Sequence, residues 1–113
     1  MSLLLDDGRY WIETIGESTL FVSMRGDAQD SDLDRVFEVF QPALIERAPA
    51  DVLIDASSIG ESSLSTRWKL AMRMKSNRPY IRRTAIYGVS AGYEAALRIL
   101  VRASGRDNIK VFA

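Results

Sequence analysis

The sequence contains no cysteine and no histidine. Without cysteine, disulfides and thiolate chemistry are excluded, which suits a reducing compartment such as the cytoplasm. Without histidine, the usual general base and the commonest metal ligand are both missing. The residues therefore point to no cofactor, no metal and no standard acid–base catalyst, and a non-enzymatic protein is expected. Long hydrophobic runs are missing too. No apolar stretch approaches the roughly 18 residues that a membrane span needs, and no signal-peptide pattern is seen. A cytoplasmic location is the resulting expectation.

What is there is ordinary globular material: 113 residues, 47% hydrophobic and 27% charged. A single domain over 1–113 is expected, since a chain of this size buries roughly two-thirds of its unfolded surface. The net charge is zero, but the two halves differ sharply. Residues 1–61 carry 13 acidic and 4 basic side chains, and residues 62–113 carry 2 and 11. Such a split hints at an anionic partner, or at self-association into a homodimer through complementary faces. Seven cations and no acid lie between Thr66 and Arg83: Arg67, Lys69, Arg73, Lys75, Arg78, Arg82 and Arg83.

The chain is organised around Asp51 to Leu64. Val52-Leu53-Ile54 is apolar at consecutive positions and ends in Asp55, as in a strand buried on both faces. A polar loop over 56–64 then leads to a helix opening near Ser62 or Ser63. Ligands and regulatory chemistry gather where strand carboxyl ends meet helix amino ends in open α/β sheets, which makes this loop the first candidate site.

Before it, Arg9–Ile15 and Thr19–Met24 read as strands, and the short Gly16-Glu17-Ser18 link implies an antiparallel hairpin. The Arg25-Gly26-Asp27 tripeptide matches an adhesion motif too short to carry meaning. Ser31 with Asp34 resembles a capping box, and the following helix lines up Leu33, Val36, Phe37, Phe40, Ala43 and Leu44. Pro42 falls on its outer side and is expected to kink or restart it.

The second helix is expected over Ser63–Ser76, with Leu64, Trp68, Ala71 and Met72 on its core face and Leu70 and Met74 widening it. Arg67 and Lys75 project inside that arc, so they snorkel or line a site. Thr84–Val89 is a further strand, Ser90 an N-cap for a helix over Ala91–Ser104, and Gly105 its C′ residue. Asn108–Phe112 is the last strand. The elements read β-β-α-β-α-β-α-β: an α/β fold with a five-stranded, mixed and mostly parallel sheet. Val52–Ile54 and Ala85–Tyr87 should be parallel neighbours. Leu33, Phe37, Phe40, Leu53, Trp68, Met72, Ile86, Leu97 and Leu100 should be buried.

This element order resembles the STAS domain, and within it the single-domain SpoIIAA-like group, also described as STAS/SEC14-like. The resemblance rests on the Val52-Leu53-Ile54-Asp55, Ala85-Ile86-Tyr87-Gly88 and Ile109-Lys110-Val111-Phe112 strands. It implies a regulatory module that docks a protein partner. Phosphorylated antagonists of that family carry Asp-Ser-Ser-Gly at the start of the helix after the Asp-ended strand. Glu61-Ser62-Ser63-Leu64 stands nearby, about two residues closer to the strand and without the glycine, and makes Ser62 and Ser63 the phosphorylation candidates. The family also adds a helix after the last strand, which this sequence does not show.

Three constellations have plainer readings beside the functional ones. Gly88-Val89-Ser90-Ala91-Gly92 matches the nucleophile-elbow pattern, but no histidine exists to take the serine proton, and Ser90 serves as an N-cap. Ser62 and Ser63 fit a phosphate at a helix amino terminus and fit ordinary caps equally well. Asp51 and Asp55 stand roughly 13 Å apart along a strand, too far to act together. Asp55 is the one near a site, with capping or loop order as its simplest role.

Two functions follow. In the first, a protein partner docks on the 56–64 loop, with Asp55, Ser57, Ser58, Ser62, Ser63 and Ser90 as contacts. In the second, Lys69, Arg73, Arg98 and Arg102 form a basic surface for an anionic ligand, lipid headgroup or membrane surface, weakening as salt rises.

Overall fold

The computed structural model describes residues 2–89, 91–103, 105 and 108–112, with the backbone alone at 28, 59, 61, 62, 64, 91–93, 96, 100 and 103. Six strands and three helices alternate through the described residues: β1 (Ser2–Asp6), β2 (Tyr10–Ile15), β3 (Thr19–Ala28), α1 (Asp30–Glu46), β4 (Ala50–Ser62), α2 (Leu64–Ser76), β5 (Ile81–Tyr87), α3 (Ala91–Ala103) and β6 (Ile109–Val111). A single 3-10 turn, Arg78–Tyr80, joins α2 to β5. The strands form one sheet in sequence order. β1, β2 and β3 pair antiparallel, while β3, β4, β5 and β6 pair parallel. Parallel neighbours taken in order with right-handed crossovers place every crossover helix on the same face. One face of the sheet is therefore covered by helices and the other is bare.

Strand alternation separates the two faces. Tyr10, Ile12, Leu20, Val22, Ala50, Val52 and Ile81 are buried under α1, whose Leu33, Val36, Phe37, Phe40, Ala43 and Leu44 complete the main cluster. The expected α1 stripe is thus the core stripe. Ala56, Ile86 and Val89 form a second cluster with Leu97 and Val101 of α3. On the bare face the cross-strand row runs Glu13, Phe21, Leu53, Ala85, Lys110. The next row runs Trp11, Ser23, Asp55, Tyr87.

Several expectations change. The sheet has six strands, not five: Ser2–Asp6 pairs with β2, and the Asp6-Asp7-Gly8 turn signal after a leucine run marks that hairpin. α1 is capped by Gln29, with Asp32 accepting from the Gln29 N–H at 3.0 Å, instead of by Ser31 and Asp34. The helix runs on through Pro42, which lies exposed on its outer side. Leu53 is only half-buried because it points to the bare face, and Met72 and Leu97 are half-buried as well. The side chain of Leu100 lies outside the described residues.

Trp68 is 59% exposed and not a core residue. The face of α2 turned to the sheet is Arg67, Leu70, Ala71 and Met74, spaced i, i+3, i+4, i+7, with Leu70 packed on the main cluster and Ala71 fully buried. Trp68 lies about 100° around the helix from Arg67, at the edge of that stripe. Arg67 lines the interior, as its position inside the arc required, whereas Lys75 is exposed.

Candidate functional site

The 56–64 segment is not a free loop. β4 continues through it, pairing Arg25 with Ser58, Gly26 with Ile59 and Ala28 with Ser62. Relative to β3, β4 carries one extra residue between Asp55 and Ser58 and another between Ile59 and Ser62, so the extension bends while keeping backbone partners. Gly60 makes this fit possible. A Cβ there would sit 2.8 Å from the Gly26 carbonyl carbon and 2.9 Å from the Asp27 nitrogen.

Asp55 ends the regular part of β4. Its Oδ1 accepts from the Ser57 backbone N–H at 2.9 Å and from Ser57 Oγ at 2.6 Å. The side chain therefore orders the following turn, the simpler role read from the sequence. Ser57 packs against Gly88 at the end of β5. Gly88 has φ +78, and a Cβ on it would lie 2.8 Å from the Ser57 Cβ. Ser57 and Ser58 are both exposed. Tyr87 is partly exposed beside Asp55, and partial burial, followed by the Asp55 charge, pushes its phenol above the ordinary value.

Ser63 caps α2, as expected. Its Oγ accepts from the Thr66 N–H at 3.1 Å and lies 2.9 Å from Thr66 Oγ1. Thr66 is buried and donates to Asp30 Oδ1 at 2.7 Å, and Lys69 Nζ donates to Asp30 Oδ2 at 2.6 Å. Hydrogen bonds from Lys69 and then Thr66 hold the Asp30 carboxyl below its ordinary range. One turn on, Arg73 pairs with Asp34 at 3.2 Å and stacks over the Phe37 ring. Asp30 and Thr66 thus tie the two helix starts together, and the sequence reading missed both. The Ser63/Thr66 spacing and the acidic first turn of α1 were the available signals.

This arrangement corrects the basic-surface argument. Lys69 and Arg73 face α1, not a shared outer surface with α3. Asp51 answers both Arg82 (2.7 Å) and Arg83 (3.2 Å), and Glu94 answers Arg98 at 2.7 Å. Asp30, Asp34 and Asp51 of the acidic half thus answer Lys69, Arg73, Arg82 and Arg83, four of the seven cations between Thr66 and Arg83. Arg102 is exposed on the outer side of α3. Ser90 and the Ser62 side chain, the remaining candidates, lie outside the described residues. Asp51 and Asp55 have separate partners, and no group of three carboxylates that could hold a metal ion occurs among the described residues. Nor is any helix there long and apolar enough to cross a membrane.

The surface these elements present is the amino end of α2. Thr66, Lys69 and Arg73 face α1, so Trp68 lies on the opposite flank of α2. It sits between exposed Ser65 and Lys69, little more than one turn from the exposed cap Ser63. A second apolar surface is the bare face of the sheet, where Trp11, Phe21 and Leu53 are half-buried and Tyr87 is exposed.

No protein-family model and no curated protein sequence matches this chain. Solved structures do. An uncharacterised protein of the DUF3478 family from Shewanella loihica PV-4, with a SpoIIAA-like fold, is 22% identical over 91% of this chain and 83% of its own, with a TM-score of 0.69. The anti-sigma factor antagonist SpoIIAA in its unphosphorylated form is 13% identical over 80% of this chain and 82% of its own, with a TM-score of 0.59. The strand order, the parallel β4–β5 pair and the helix following the Asp55 strand agree with these likenesses: the chain has the SpoIIAA-like fold.

Proposed function

We propose that this protein is a non-catalytic regulatory module that docks a protein partner on the amino-terminal part of α2. The observation that carries this reading is Trp68. A tryptophan 59% exposed on a surface helix leaves a large apolar area in water, and tryptophan is enriched among the residues that dominate binding energy at interfaces. It stands beside the exposed helix cap Ser63, one of the two phosphorylation candidates that the family resemblance implies. A phosphate on Ser63 would gain from the free N–H groups at the start of α2. The same phosphate would compete with Asp30 for Thr66 and Lys69, loosening the tie between α1 and α2. Docking would then respond to phosphorylation through a rearranged helix start.

A photo-crosslinking residue placed at position 68 in cells tests this. The expected result is one saturable adduct, competed by added wild-type protein but not by Trp68→Ala, and altered when phosphoserine is installed at 63. Equal capture from position 38 on the outer side of α1 would overturn the reading, as would competition by Trp68→Ala.

The bare sheet face favours a homodimer as part of the same reading. Its Glu13 and Lys110 lie on either side of Phe21 and Leu53, so two copies related by a two-fold axis can bring opposite charges together around an apolar strip. Sedimentation at high concentration and low salt should show dimer, and Phe21→Lys should abolish it. A wild-type monomer under those conditions removes the dimer and leaves the Trp68 surface untouched.

A further inference from the structure

The space between the sheet and the helices is not filled. A cavity of about 160 Å³ runs between them, walled by Val22, Phe37, Val52, Leu70, Met74 and Ile86 among others. An engineered protein cavity of about 150 Å³ with aliphatic and aromatic walls stays dry and accepts benzene. The interior here therefore has room for a ring of about six carbons.

One polar atom marks what such a guest must carry. Asn77 is 2% exposed, lines this cavity, and its Oδ1 has no hydrogen-bond partner among the described residues. The turn it occupies does not need its side chain. The Asn77 backbone N–H donates to the Arg73 carbonyl and its carbonyl accepts from Tyr80, bonds that leucine would make equally well. A buried amide oxygen without a donor is destabilising, and an apolar side chain of similar size would avoid the cost. The charged residue on the wall, Arg67, lies ten positions earlier in the chain, about 15 Å away along α2. The surroundings of Asn77 itself, Ile81 and Met74, are apolar and suit an uncharged guest. The Tyr10 hydroxyl, buried beside the Asp32 carboxylate, belongs to β2, three strands from β5, roughly 14 Å across the sheet and beyond a benzene-sized molecule at Asn77.

We infer that this cavity is a binding site for a small, neutral, mainly apolar molecule that donates one hydrogen bond to Asn77 Oδ1. It is separate from the Trp68 surface and does not depend on the docking reading. Phenol and toluene form a suitable probe pair, matched in size and differing in the donor. Titrating each into the full chain by nitrogen–proton NMR should shift the amides of Met74, Asn77, Ile81 and Thr84 saturably. Phenol should bind more tightly than toluene in the wild type, and Asn77→Leu should weaken phenol about tenfold while leaving toluene unchanged or tighter. Should Asn77→Leu fail to fold, the wild-type comparison still decides. Toluene binding as tightly as phenol overturns the role of Asn77, and no saturable shift with either overturns the site.

Discussion

Replacing Asp51 with asparagine tests how this fold spends its charge. Asp51 is the second residue of β4, with 20% of its side chain exposed. It accepts from Arg82 Nε at 3.0 Å and Nη2 at 2.7 Å, and from Arg83 Nε at 3.4 Å and Nη2 at 3.2 Å. Hydrogen bonds from Arg82 and then Arg83 hold its carboxyl well below the ordinary carboxylate range. Both guanidinium groups are largely in water, 52% and 74% exposed, so screening reduces the benefit to about 1 kcal/mol. For a chain of this length that is a fall of about 4 °C in Tm. The sign of the pH dependence follows from the lowered folded value. The contribution is fully present above the ordinary carboxylate pKa of about 4 and is lost progressively as pH falls from there through the lowered folded value. Denaturant titrations of wild type and Asp51→Asn should therefore differ more at pH 7 than at pH 2.5, and high salt should narrow the gap at pH 7. An equal gap at both pH values, or none at pH 7, would refute the argument that this triad joins β4 to β5 electrostatically.

Ser63→Ala removes the cap of α2 and should cost about 1 kcal/mol by chemical denaturation; an unchanged midpoint would show that the cap contributes nothing. Gly88→Ala forces a side chain into left-handed backbone against Ser57, and a loss of about 1–3 kcal/mol is expected from the strain alone. Trp68→Ala should cost no more than about 2 kcal/mol, because little of the ring is covered, whereas truncating a core tryptophan costs about 3–5 kcal/mol. A loss in the core range would return Trp68 to the interior. Asp30→Asn should weaken the junction of α1 and α2, seen as faster amide exchange in the first turn of α2 at pH 7; the wild type should approach the same rate as acid protonates Asp30.

Most of the architecture was legible along the chain. Consecutive apolar residues at Val52–Ile54, the tight Gly16–Ser18 link and the 3.6-residue stripe of α1 are local patterns, and each specifies its own element whatever lies around it. They were sufficient for the hairpin, the parallel β4–β5 pair, the Ser63 cap and the core face of α1. Pairing between distant segments was not legible. Residues 56–64 read as a polar loop because nothing in their own composition shows that Arg25–Ala28 continues beside them. The cations between Thr66 and Arg83 read as a basic stretch without acids because Asp30, Asp34 and Asp51 are remote in sequence; only the docking of α1 on α2 and the β4–β5 register bring those acids to Lys69, Arg73, Arg82 and Arg83. Trp68 was assigned to the core because hydrophobicity alone favours the stripe that contains it. The sheet instead receives the stripe of Arg67, Leu70 and Met74, since the crossover from β4 to β5 fixes the rotation of α2. The amino-acid sequence determined which segments become strands and helices. The tertiary structure decided which faces meet, and with that which charges are answered, which tryptophan is left in water and which amide is left without a partner.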